Sequence, residues 1–344
     1  MLLRMIDRSC EPQRGGRPVA VTSGLALALA VALGFAAPVR AAGAPAVPSA
    51  VETEVQAGGA LIHVALDSDG YPVGTAELLE WVRRSAAIVA GYYAAFPVPA
   101  LTISISAVDG AGVRNGRASA DPLPRIQLRV GKAVSREELL HDWVLVHEMT
   151  HLALPEVGRA HAWLAEGLAT YVEGVARVQA GNLSASDLWQ EDFAAMPKGM
   201  PEAGDEGLDH THTWGRTYWG GAMFCLAADV AIRERSGNTR GLQDALRAIL
   251  RESGGMVASW PVERIFASGD EATGTTVLTD LYRSMRDAPA APDLPDLWRR
   301  LGLSADNGVL HSEAAGKPAD IREAITRPPP PDRLSKTGAA PPPR

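Results

Sequence analysis

Val144-Leu145-Val146-His147-Glu148-Met149-Thr150-His151-Leu152 is the stretch on which the rest of the chain depends. Two histidines stand four residues apart, with a glutamate beside the first. On an α-helix four residues make about 1.1 turns, so His147 and His151 project from nearly the same face. Two neutral imidazoles at that spacing can reach one Zn²⁺ at about 2.0–2.1 Å each. Glu148 would then lie beside the water on that ion and take its proton. Positions 144–146, 149, 150 and 152 carry no charge, as a helix buried behind an active site requires. The bland alternative is a helix with two incidental histidines, because a pattern of three fixed positions also arises by chance.

A second helical pattern follows: Trp163-Leu-Ala-Glu166-Gly-Leu-Ala-Thr170-Tyr-Val-Glu173. Glu166 can supply a third ligand and leave the fourth position to water, the open geometry of a catalytic zinc site. It lies among Trp163, Leu164, Leu168, Ala169 and Val172, where an unpaired carboxylate would be costly. A cation removes that cost; so would a salt bridge.

H-E-x-x-H followed by W-L-x-E-G-x-A-x-Y-x-E resembles the gluzincin metallopeptidases, most of all the M1 aminopeptidase and M61 glycyl-aminopeptidase-like branches. The resemblance implies an α+β, thermolysin-like zincin domain, with one Zn²⁺ held between two helices below a small mixed sheet. It implies His147, His151 and Glu166 as zinc ligands and Glu148 as general base. In two respects the chain departs from the M1 pattern. Only 14 residues separate His151 from Glu166, fewer than is usual there, and no G-x-M-E-N segment is present to grip a substrate amino terminus.

The 344 residues suffice for a full core in one large or two modest domains. Residues 19–37 form an apolar, alanine-rich run behind Arg14 and Arg17, and Val39-Arg40-Ala41 puts small residues at −3 and −1 of a signal-peptidase site. Residues 1–41 therefore read as a signal peptide, with a retained membrane anchor as the alternative and Met5 as a possible start. Removing them takes away five arginines and two acids and shifts the net charge from −7 to −10. So acidic a chain argues against nucleic acid, and against stable membrane association, as a partner. Localisation reads as exported, periplasmic or extracellular. Cys10 leaves with the leader, so Cys225 stands alone in an apolar helical stretch, a buried inert thiol.

Residues 42–58 read as a polar linker and 59–196 as the catalytic subdomain. Within it, Ala60–Leu66 alternates as a strand, Asp67–Gly70 is a turn, and Thr75 caps a helix over 76–95 that Pro97 stops. Leu101–Ala107 is a strand, 109–119 a glycine-rich loop, and Arg125–Val130 another strand. By the resemblance, this last strand, just ahead of the zinc helix, is the sheet edge that takes an extended substrate by backbone pairing. Ser135-Arg-Glu-Glu138 is a capping box expected to start the zinc helix, and Pro155 ends it. His161 opens the Glu166 helix and Gly181 closes it. Metal-bound histidines donate their other ring N–H to an acceptor, for which Thr170 and Glu173 are candidates unless both are surface residues.

Residues 197–326 read as a helical subdomain and 327–344 as a proline-rich disordered tail. Its loop over 197–212, carrying His210 and His212, suits a cleft rim. Thr213 can cap a long helix reaching Gly237, in which the Tyr218 region is similar to the M61 pattern. A donor must face the developing oxyanion opposite the metal. In this clan it is a tyrosine or histidine, here Tyr218 with His212 as runner-up; alternatively Tyr218 is a packing residue. Gly220-Gly221 inside that helix costs about 1 kcal/mol per glycine, which close approach to another backbone would rationalise. Further helices are expected over 241–252, 262–266, 276–286 and 296–301.

Two classes of function compete: a secreted zinc metallopeptidase acting on peptides or proteins, and a non-catalytic binding protein of the same fold. The second predicts damage at the ligands or base, and the sequence has none. A purely structural zinc site would be closed by four protein ligands and rich in cysteine. For an aminopeptidase, Glu173, Glu191, Asp192 and Asp209 are available to anchor the substrate amine.

Overall fold

The structure is a computed structural model that describes residues 51–67, 70–306 and 309–328. The expected leader over 1–41, residues 42–50 of the expected linker and the tail from 329 lie outside the described residues. Five strands build the sheet, most of them on alternating apolar and polar residues: β1 (Val51–Ala57), β2 (Ala60–Leu66), β3 (Ala100–Val108), β4 (Val113–Ser119) and β5 (Arg125–Gly131). They form one sheet in the order β1-β2-β3-β5-β4. β1 and β2 make an antiparallel hairpin, β2, β3 and β5 run parallel, and β4 returns antiparallel on β5. One face buries Ile62, Val64, Ile103, Ile105, Ile126, Leu128 and Val130. Helix α1 (Gly74–Tyr93) crosses between β2 and β3, as parallel strands require. It buries Leu78, Trp81, Val82, Ala86, Val89 and Tyr93.

Several sequence expectations need correction. Thr75 does not cap α1, which starts at Gly74 with no side-chain cap and ends at Ala94 in the left-handed region. The expected linker ends in β1, whose Val-Glu-Thr-Glu-Val alternation buries Val55. The expected loop over 109–119 contains β4, which has a bulge between Val113 and Asn115. β5 is therefore interior, and β4 is the edge. The capping box at Ser135 starts only a short helix, α2 (Arg136–Leu140), in which Ser135 and Glu138 bond reciprocally. The chain then breaks and restarts as α3 (Val144–His151). Asp142 makes the restart possible, accepting from the backbone N–H of Val144 and Leu145 and from the Trp81 indole, each at 3.1 Å.

Helix α4 (Ala162–Gln179) follows a short 3₁₀ turn at Arg159–His161 and packs on α1 and α3. After α5 (Ala185–Ala195), which the sequence reading missed, a π turn at Arg216–Gly220 leads into α6 (Gly221–Arg235). Gly221 explains the double glycine: a Cβ there would lie 2.1 Å from the Trp163 carbonyl oxygen and 2.8 Å from Gly167 Cα. The backbones of α4 and α6 thus meet directly, and a single hydrophobic core runs across the expected boundary at residue 196/197. Four helices follow: α7 (Leu242–Ser253), α8 (Val262–Thr273), α9 (Val277–Met285) and α10 (Leu294–Arg300). The weakly patterned stretch from 304 forms a hairpin of β6 (Leu303–Asp306) and β7 (Val309–Ser312), then α11 (Lys317–Thr326). Cys225 is buried in α6, and burial pushes its thiol far above the usual range. Among the described residues no helix is long and apolar enough to cross a membrane.

Candidate metal centre

His147 and His151 leave one face of α3, and Glu166 leaves the facing side of α4 one turn after Trp163. Glu166 Oε2 lies 3.3 Å from His147 Nε2 and 3.5 Å from His151 Nε2. One ligand atom from each residue falls within 4.8 Å of the other two, and no other such group occurs among the described residues. The site opens to solvent on the Glu166 side: that side chain is 29 % exposed, against 6 % for His147. Burial would raise the Glu166 carboxyl, but hydrogen bonds to both imidazoles outweigh it and hold the group well below the usual range. Burial likewise pulls the His151 ring down, and its hydrogen bond and charge pairing with Glu166 win, leaving it above its ordinary value.

This donor set fits a divalent cation. Two imidazoles and one carboxylate are the ligand types of an open zinc site, and their three atoms converge at an exposed mouth. Neither Thr170 nor Glu173 takes the place expected of it behind the histidines. His147 Nδ1 is buried with no hydrogen-bond partner among the described residues. Thr170 donates instead to the Glu166 carbonyl at 2.8 Å, and Glu173 pairs with Arg177 at 3.3 Å. Burial raises Glu173 to about 7 despite that arginine. Burial also lifts Asp192, on α5, well above the usual carboxylate range.

Glu148 is buried between α3 and β4. Its Oε2 accepts the Ala118 backbone N–H at 2.7 Å. The absence of a side chain at Gly116 makes this possible, since a Cβ there would lie 2.5 Å from Glu148 Cγ. The sequence reading missed this contact because it placed both residues in a loop; the alternation Arg117-Ala118-Ser119 was the available signal.

Aromatic rings line the other wall. The Tyr218 ring lies nearly parallel to that of His147, with centroids 6.4 Å apart and 21° between planes. Trp214 stacks on Tyr218 at 6.0 Å, and Trp143 meets His147 edge-on at 5.8 Å. Tyr218 therefore faces the candidate ligands, whereas His212 is exposed on the loop. His210 pairs with Asp287 at 2.9 Å, away from the three ligands. The rim loop is anchored at Asp209, which accepts from Trp163 Nε1 at 2.8 Å and from the Tyr282 hydroxyl at 2.7 Å and bonds His161 Nδ1 at 3.0 Å.

No known family profile matches this chain, and neither does any curated protein. Solved structures do. An aminopeptidase N family protein from Idiomarina loihiensis matches with a TM-score of 0.57 and 13 % identity, over 78 % of this chain and 53 % of that one. An M1 zinc metallopeptidase from Deinococcus radiodurans matches with a TM-score of 0.47 and 16 % identity, over 72 % of this chain and 53 % of that one. The chain spans about half the length of these structures. At such low identity the likeness concerns the fold: a five-stranded mixed sheet with helices, similar to that of an aminopeptidase N family protein.

Proposed function

We propose that the chain is a zinc-dependent peptidase that hydrolyses peptide bonds with an activated water, exported by means of residues 1–41. The observation that carries this reading is the convergence of His147, His151 and Glu166 at an open mouth, with Glu148 beside them. The fold shared with an aminopeptidase N family protein supports it, and an aminopeptidase-like action is its narrower form. Zinc held by His147, His151 and Glu166 would lower the pKa of water and polarise the scissile carbonyl.

The chain's own residues do the rest. Ala118 fixes one oxygen of Glu148 by its backbone N–H, which leaves Oε1 to take a proton from water and return it to the leaving amine. Tyr218, on the opposite wall, is the candidate donor to the developing oxyanion. Its place on a π turn, an irregularity frequent at functional sites, aims the ring across the cleft.

The test is zinc content with paired activity on a mixed peptide library, for the wild type, Glu148→Gln and Tyr218→Phe. All three should hold one equivalent of zinc. Glu148→Gln should lose about 10²–10⁴-fold in rate, and Tyr218→Phe about 10²-fold in kcat. Zinc without cleavage by the wild type would favour a non-catalytic binder, and absence of zinc would defeat the reading altogether.

A further inference from the structure

The solvent face of the sheet is electrically polarised. Rows of paired residues cross it, and one row runs Glu54, His63, Thr102, Arg125 from β1 to β5. The acids, Glu52 and Glu54, lie at the β1 edge, where Glu54 pairs with His63 at 3.3 Å. The other edge is basic. Arg125, Gln127 and Arg129 alternate outward along β5, and Ser119, Arg117 and Asn115 of β4 stand opposite them in register. Arg114, at the bulge, is also exposed. None of these four arginines makes an ion pair with any described residue; Asp109 and Asp121, the acids nearest them in sequence, are exposed in flanking loops and bond to none of them. Arg117 lies diagonally across from both Arg125 and Arg129, at about 7–8 Å by strand geometry. A chain of net charge −7 thus gathers unneutralised like charges on its one open sheet edge near the candidate site.

That edge also delivers the Ala118 N–H to Glu148. A peptide added to β4 would be a sixth strand, with side chains alternating between the two faces. Every second residue would point inward toward Glu148 and His147. The residues between would point outward, beside Arg117 and within reach of Arg114 and Arg129. We infer that this edge selects peptides bearing acidic side chains at alternate positions, with Arg117 as the central contact and Arg114, Arg125 and Arg129 as its surround. The inference rests on the peptidase reading for its chemistry, but its recognition element is separate from the metal site. A carboxylate there gains charge pairing and relieves the repulsion among the arginines, whereas a lysine adds to it.

Two fluorescent peptides with one neutral core serve as probes, one with glutamates at alternate positions and one with lysines there. Binding is measured by anisotropy to full-length Glu148→Gln, and cleavage by the wild type. The expected result is tighter binding and faster cleavage of the acidic peptide, a preference that weakens as salt rises. Arg117→Glu combined with Arg129→Glu should cut the acidic-over-basic ratio by roughly tenfold or more, and Arg117→Gln by less. Arg251→Glu, at an exposed position of α7, should not change it. Equal binding of both peptides, or a ratio unmoved by Arg117→Glu, overturns the inference even if cleavage is robust. Arginine-dependent capture of anionic vesicles without any peptide preference also overturns it, in favour of a membrane surface. Arginine-dependent binding of the acidic peptide to a chain that cleaves nothing would keep the inference and remove the peptidase.

Discussion

At the residue scale, α4 carries a charge set against burial. The Glu173 side chain is only 17 % exposed, and burial lifts its carboxyl to about 7 from an ordinary 4.5. A carboxyl raised in this way binds its proton more tightly folded than unfolded. Its contribution to stability is therefore undiminished below about pH 4.5 and is lost as pH climbs through 7. Glu173→Gln removes the titration. The variant should gain on the wild type by an amount on the order of 3 kcal/mol between pH 4 and 8, on top of a constant loss from stranding Arg177. Denaturant unfolding of both proteins across that range checks this; a pH-independent difference would refute it. The sequence made the charged residues of the site legible, because H-E-x-x-H and Glu166 carry their geometry in their spacing. It did not reveal that Glu173 faces Arg177 rather than a histidine, since two turns along a helix do not fix which way a carboxylate leans.

At the scale of elements, the meeting of α4 and α6 is the joint that brings the candidate ligand Glu166 and Tyr218 together. Gly167 and Gly221 are in backbone contact, one residue from Glu166 and three from Tyr218. Gly221→Ala would force the two helices apart at a point without flexible atoms to yield. It should cost about 1–3 kcal/mol from overpacking and lower kcat more than an equally destabilising change on α10. If Gly221→Ala proves fully stable and active, the joint is not tight. The double glycine announced this contact without naming the partner. Periodicity found α1, α4 and the strands β2, β3 and β5 because each buries one regular face. It missed β1 and β4, which are edge strands with few buried residues, and the break between α2 and α3, because Asp142 reads as an ordinary polar residue until its three donors are seen.

At the scale of the molecule, the fold stands on its core rather than on a metal. Sheet, α1, α3, α4 and α6 share one set of buried side chains, and Glu166 already bridges the two histidines by hydrogen bonds. Chelation should therefore leave the far-ultraviolet circular dichroism at 25 °C unchanged while lowering Tm. Readdition of zinc should restore Tm, worth about 4 kcal/mol at a thousandfold excess over Kd. A chain that unfolds outright on chelation would contradict this account.

Asp209 bears on kinetics as well as on packing. Three side chains from two helices and a 3₁₀ turn tie it down, so the Asp209 end of the loop is held as a wall. Under the proposed peptidase reading, such a wall would not close over a substrate after binding, and turnover would have no opening step to wait for. It also does not withdraw to admit bulk, so a folded protein would be shut out wherever its backbone cannot lie flat along β4. Cleavage would be confined to termini, loops and unfolded segments by the shape of the doorway alone, before any side chain is read.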